Sequence, residues 1–86
     1  MITLKATTPA VEKNRPYYAI MSVSEEGTYY LVNGWNKNRS FWLKKIDHRT
    51  VFKRPQDATR SLNHLLSIMP DYKGDELSLM RVVFEG

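Results

Sequence analysis

A single segment of this 86-residue chain has the hydrophobic period of an α-helix, and a proline stands at each end of it. The apolar side chains of that segment recur at helical spacing and form one stripe, made of Ala58, Leu62, Leu65, Leu66 and Met69. Proline is favoured at the first helical position and disfavours helix in the residue before it, so Pro55 and Pro70 predict a helix over 55–69.

The remaining apolar runs have the period or the composition of β-strands. They are residues 2–7, 17–23, 28–32, 40–46, a short extended piece at 50–53, and 77–84. The second and third flank a Ser-Glu-Glu-Gly turn and predict a β-hairpin. The last run is apolar on both faces, which is typical of a central strand.

One helix can cover only one face of such a sheet. We therefore predict an α+β fold, with a small, mostly antiparallel sheet of four to six short strands and the helix packed on one face. Adjacent tyrosines at 17–18 and 29–30 must point to opposite faces, so we expect one face in the core and the other to carry surface tyrosines. The chain length suits a single domain over 1–86. Residues 1–16 either pair at a sheet edge or form a loosely attached terminus.

The composition excludes several classes of protein and site. The chain has no cysteine, which excludes disulfides and thiolate metal sites. It has no apolar run long enough to span a membrane and no signal-peptide pattern, so we expect a cytoplasmic protein without a membrane partner. Nothing in the sequence calls for a cofactor: there is no glycine-rich phosphate loop, and two histidines sixteen residues apart do not predict a metal site.

The positive charge is concentrated between Gly34 and Arg60. This stretch has eight basic and two acidic residues, whereas the rest of the chain has five basic and seven acidic residues. Lysine and arginine neutralise phosphates and release counterions, and an exposed tryptophan can stack on a base. The stretch therefore predicts a nucleic-acid surface formed by Lys37, Arg39, Lys44, Lys45, Arg49, Lys53, Arg54 and Trp35.

An enzymatic function is disfavoured. Ser61 and His64 lie three residues apart on the predicted helix and share a face. A serine nucleophile also needs a third group that orients its base, and Asp57 lies seven residues before His64, about two turns away. A solvated helix face is the simpler interpretation of these polar residues.

The basic segment 51–58, placed between strands and an amphipathic helix, resembles the AP2-like N-terminal DNA-binding domains of phage-type integrases. The resemblance covers about residues 17–69 and rests on Phe52, followed six residues later by the helical Ala58. It implies a three-stranded sheet that enters DNA with a helix behind it. The chain departs from that family by carrying a further strand at 77–84, so the likeness concerns the fold.

Two functions follow from these patterns. The first is a small, non-enzymatic nucleic-acid-binding protein, such as an accessory protein of a bacterium or a phage. The alternative is a protein-interaction module or a small inhibitor of another protein, monomeric or homodimeric, because exposed aromatic residues anchor protein interfaces. The directions of Tyr18, Tyr29, Trp35 and Trp42 distinguish the two. A tryptophan inside the basic surface favours nucleic acid, and tyrosines far from the lysines favour a protein.

Overall fold

The computed structural model describes residues 2–6, 10–35, 41–70 and 76–85. Its elements in chain order are β1 (Ile2–Lys5), β2 (Pro16–Ser24), β3 (Gly27–Leu31), β4 (Trp42–Leu43), α1 (Pro55–Ile68) and β5 (Glu76–Glu85). The strands form one sheet in the order β1-β5-β2-β3-β4. β1 runs parallel to β5, and the other pairings are antiparallel. The predicted α+β fold, with one helix on a mostly antiparallel sheet, is confirmed.

The predicted hairpin is formed by β2 and β3. Gly27 lies at the end of its turn with a φ of 130°, a backbone conformation that other residues rarely adopt. The last strand, β5, is interior as predicted, since it pairs with β1 on one side and with β2 on the other. The middle position of the sheet belongs to β2, whose aromatic and branched residues suit burial on both faces.

Each face of the sheet has its own buried cluster. The helix face holds Ile20, Leu31, Phe52, Ala58 and Leu65. The opposite face holds Val11, Tyr17, Ala19, Val51, Val82 and Phe84. The expectation that one face would carry surface tyrosines was wrong for the hairpin's first pair: Tyr17 is buried on the second face and the half-buried Tyr18 packs on the helix side. Val11 and Val51, which lie outside the strands, supply the cover that one helix cannot provide.

The strand predicted over 40–46 was too long. Within the described residues 41–46, strand pairing is limited to Trp42 and Leu43, and one more backbone bond joins the Val32 N–H to the carbonyl of Phe41. Beyond β4 the chain turns, because the hydroxyl of the buried Thr50 donates to the Lys45 carbonyl and accepts from the amide of Asp47. Side-chain hydrogen bonds of this kind compete with strand pairing.

The extended piece predicted at 50–53 leads into the helix. Phe52 and Tyr18 exchange two backbone hydrogen bonds, of 2.9 and 2.7 Å, in an isolated antiparallel bridge. The bridge fixes the start of α1 beside β2 and leaves Lys53 exposed at the surface. No helix in the described part of the chain has the length and apolarity needed to cross a membrane.

Candidate functional site

A cleft of about 730 Å³ lies between the turn at 33–35 and the outer flank of α1. Its lining residues are Asn33, Gly34, Trp35, Phe52, Lys53, Asp57, Arg60, Ser61, His64 and Ile68. Each helical member of this set lies three or four residues from another member, so together they form one stripe beside the buried one. The volume lies within the range of small-molecule sites.

The turn that forms one wall is held at its first residue, Asn33, by two hydrogen bonds. The backbone amide of Asn33 donates to the Arg49 carbonyl at 2.7 Å, and its side-chain amide donates to the Val51 carbonyl at 3.0 Å. Gly34 follows with a φ of 81°, which favours glycine. These constraints direct the next residue, Trp35, back towards the helix.

Trp35 is the centre of the cleft's aromatic wall. Its indole N–H donates a 2.9 Å hydrogen bond to the Ser61 hydroxyl, and its ring lies 5.3 Å from the His64 ring at a tilt of 40°. Phe41 meets it edge-to-face at a centroid distance of 5.2 Å. Trp35 is half-buried and His64 is exposed, so both rings remain partly accessible at the surface of the cleft.

Two cations, Lys53 and Arg60, line the cleft. Both are exposed, and neither takes part in an ion pair among the described residues. The cleft also contains the carboxylate of Asp57, which accepts two 2.9 Å hydrogen bonds from the Arg54 guanidinium. These bonds, with further help from the charge of Arg60, hold the pKa of Asp57 below its ordinary value. The cleft therefore keeps a positive balance.

The other predicted basic residues lie elsewhere. Lys44 is exposed beside Tyr29, with its ammonium nitrogen 6.0 Å from the ring centroid, and Lys45 is exposed next to it. Arg49 is bound to the Asp47 carboxylate at 2.7 Å. Burial is the largest influence on Asp47 and raises its pKa, but the side-chain and backbone hydrogen bonds and the charge of Arg49 together bring that pKa below its ordinary value.

The structure thus brings together part of the predicted set. Trp35 and Lys53 line the cleft, Arg54 adjoins it through Asp57, and Lys44, Lys45 and Arg49 lie apart from its lining. Lys37 and Arg39 lie outside the described residues. The sequence prediction omitted Arg60, Ser61, His64 and Ile68 as ligand-binding residues. Their helical spacing from Asp57 was the available signal, but it resembles an ordinary solvated helix flank.

Ser61 and His64 of α1 form part of the wall of the cleft. The Ser61 hydroxyl accepts the Trp35 indole N–H, and the His64 ring packs against the same indole. Among the described residues, no group of three or more His, Cys, Asp or Glu side chains is placed to hold a metal ion.

Comparison with known proteins found no matching family model, no matching curated protein and no matching solved structure. The cleft and the charges around it are therefore the basis for inferring a function.

Proposed function

We propose that this protein binds single-stranded nucleic acid and that the cleft beside α1 is its central contact. The observation that carries the proposal is the placement of Lys53 and Arg60, two cations outside the ion pairs of the described residues, in one cleft with the Trp35–His64 ring pair. Aromatic side chains that stack on bases, combined with cations that follow the backbone, are the usual means of holding a single strand.

A single strand suits the cleft better than a duplex. The aromatic wall is recessed between a turn and a helix, and the bases of a duplex are stacked inside the helix, away from such a wall. The bases of a single strand are free to turn outward into a cleft. Lys44 and Lys45, exposed beside β4, supply further positive charge for a strand that leaves the cleft.

The directions of the aromatic residues also favour nucleic acid. Trp35 lies with the cations of the cleft, and Tyr29 lies beside Lys44. Tyr18 and Trp42 pack against the helix-side cluster. Among these four residues, none forms an aromatic patch far from the lysines.

The sheet itself is a poor DNA-reading surface. The strand residues of β2, β3 and β4 that point away from the helix include no lysine or arginine. They are Tyr17, Ala19, Met21, Val23, Thr28, Tyr30 and Leu43. The described strand residues of this face would bring no cation to the phosphates of a DNA groove, so the binding mode of the integrase-type domains is not the one we propose.

That same face favours the second candidate, a protein-interaction module. Met21, Tyr30, Leu43 and Met80 are half-buried and share the side of the sheet opposite α1. Half-exposed apolar groups on one face are suited to a protein partner or a second copy. Replacement of Tyr30 and Met80 by glutamate would abolish such binding and leave nucleic-acid binding intact.

Fluorescence anisotropy tests the main proposal. Labelled single-stranded and duplex DNA and single-stranded RNA are titrated with the protein at about 50 and 200 mM salt, where phosphate-driven binding changes steeply. We expect micromolar or tighter binding of single strands that weakens as salt rises, and weaker binding of duplex. Absence of binding at the lower salt would refute the proposal. We further propose that the protein acts as a non-enzymatic accessory protein in the cytoplasm, of bacterial or phage origin.

A further inference from the structure

We propose that the cleft is a binding site for one nucleotide unit, with the base at the Trp35–His64 end and the phosphate at Lys53 and Arg60. The ligand class is thus a nucleoside phosphate, either free in solution or part of a strand. This inference rests on the proposed function and adds to it a defined ligand and a direction of binding.

Along α1, the side chains that line the cleft change from charged to aromatic and apolar. The first half of the helix contributes Asp57 and Arg60, and the second half contributes His64 and Ile68. An α-helix rises about 1.5 Å per residue, so Arg60 and His64 are separated by about 6 Å along its axis. A single pentose separates the base of a nucleotide from its phosphate, and that separation is of the same order. A charged end and an aromatic end at this spacing fit one nucleotide lying along the helix.

The charged end is set up for an anion despite the carboxylate of Asp57. Both oxygens of that carboxylate already accept hydrogen bonds from Arg54, which neutralises it. Lys53 and Arg60 remain outside the ion pairs of the described residues. A phosphate at this end of the cleft would lie near the cations of Lys53 and Arg60.

At the aromatic end, a base is held by stacking and apolar contact and not by hydrogen bonds to its edge. The Trp35 indole N–H is already engaged by Ser61, so that group is not free to read the edge of a base. Ile68, 39% exposed, adds an apolar surface at the same end. The base is then held by stacking and apolar contact, which tolerates all four bases. We expect adenine and guanine to bind more tightly than cytosine and uracil because their rings are larger.

Nuclear magnetic resonance tests this inference directly. A ¹H–¹⁵N spectrum of the protein resolves the Trp35 indole, which responds to a ligand in the cleft, and the Trp42 indole, which lies outside the cleft lining and serves as an internal control. The titrants are adenosine 5′-monophosphate, adenosine, inorganic phosphate and a single-stranded oligonucleotide. We expect the monophosphate and the oligonucleotide to shift the Trp35 indole and the Gly34 amide. Adenosine should bind about tenfold more weakly, because it lacks the charge-assisted contacts of the phosphate.

Two variants separate the ends of the site. Arg60→Gln should weaken the monophosphate about tenfold and leave adenosine unchanged, whereas His64→Ala should weaken both. If the oligonucleotide binds but the monophosphate leaves the Trp35 indole unmoved, the single-nucleotide site is wrong and the proposed function stands. If inorganic phosphate alone reproduces the shifts, the cleft is a simple anion site and this inference is overturned. If neither the oligonucleotide nor the monophosphate binds, both proposals fail.

Discussion

The indole N–H of Trp35 donates a 2.9 Å hydrogen bond to the hydroxyl of Ser61, 26 residues further along the chain. This bond joins the turn that follows β3 to the outer flank of α1. Trp35 also packs against the helix-side cluster, whose buried helical members are Ala58 and Leu65, whereas Ser61 lies outside that buried stripe. The effect of the bond is to fix one wall of the cleft against the other, so it positions the tryptophan that our proposals place against a base.

Ser61→Ala should destabilise the fold modestly. Alanine is the better helix former by a few tenths of a kcal/mol, which offsets part of the loss of the Trp35 hydrogen bond. Thr59→Ala, on the exposed side of the same helix, is the matched control because it removes a hydroxyl and gains propensity without touching Trp35. We expect Ser61→Ala to be less stable than Thr59→Ala by about 1 kcal/mol in urea unfolding. Equal stability of the two variants would show that the Trp35–Ser61 bond contributes nothing.

Gly34→Ala should strain the turn that directs Trp35. A Cβ at this position would meet no heavy atom within 4 Å, so the expected cost comes from the φ of 81° and not from a steric clash with the surroundings. Left-handed backbone costs an ordinary L-residue roughly 1–2 kcal/mol, and asparagine tolerates it better. Urea unfolding should therefore rank the stabilities as wild type, then Gly34→Asn, then Gly34→Ala. An alanine variant as stable as the wild type would mean that this backbone conformation is not required.

The sequence contained enough information for the main elements of the fold. Pro55, Pro70 and one apolar stripe predicted the helix, which ends one residue earlier than expected, and the Gly27 turn predicted the hairpin. These features are local. β4 is short because Thr50 hydrogen-bonds the backbone of Lys45 and Asp47, which the alternating apolar pattern does not reveal. The burial of Tyr17 depends on the cover given by Val51, which is distant in the sequence. No local pattern reports such contacts.

The cleft was harder to predict than the fold for the same reason. Charge density along the chain drew attention to Arg49 and Arg54, but each is engaged by a nearby aspartate. His64 and Ser61 have the spacing of a solvated helix flank, and only the return of Trp35 over the helix makes them part of a wall. Charge counted along a sequence does not show which cations will be matched by carboxylates.

Asp47 should make stability depend on pH in the acid range. Its folded-state pKa lies below the ordinary value, so the ionised form stabilises the fold above a pH of about 4, and this contribution is lost as the pH falls through the folded-state pKa. Asp47→Asn should be less stable than wild type by about 1 kcal/mol at pH 7, because a charge-assisted bond with Arg49 is lost. Its stability should also fall less between pH 5 and pH 3, a range of about two units around the ordinary pKa.

Urea unfolding at several pH values measures this effect. Glu25→Gln, at the exposed hairpin turn, removes a carboxylate at the surface and should change stability at pH 7 by less than about 0.5 kcal/mol. If the Asp47→Asn variant were as stable as the wild type at every pH tested, the ion pair with Arg49 would make no measurable contribution to stability.

The two cleft cations should account for a defined part of the salt dependence of binding. For a single strand, each phosphate contact contributes about 0.7 to the slope of log affinity against log salt, so Lys53→Gln and Arg60→Gln should each lower the slope by about that amount. Lys5→Gln is the control, because it removes the same charge from the exposed edge strand β1.

Lys5 lies outside the cleft lining, so Lys5→Gln should leave the slope unchanged if the strand's phosphates are bound in the cleft. Anisotropy titrations of a labelled single strand at four or five salt concentrations give all three slopes, and circular dichroism confirms that each variant is folded. Equal slope changes for Lys5, Lys53 and Arg60 would mean that the strand senses the net charge of the whole molecule. A change confined to Lys53→Gln and Arg60→Gln would place the strand's phosphates in the cleft, because only a cation in direct contact with a phosphate displaces the counterions condensed on the strand.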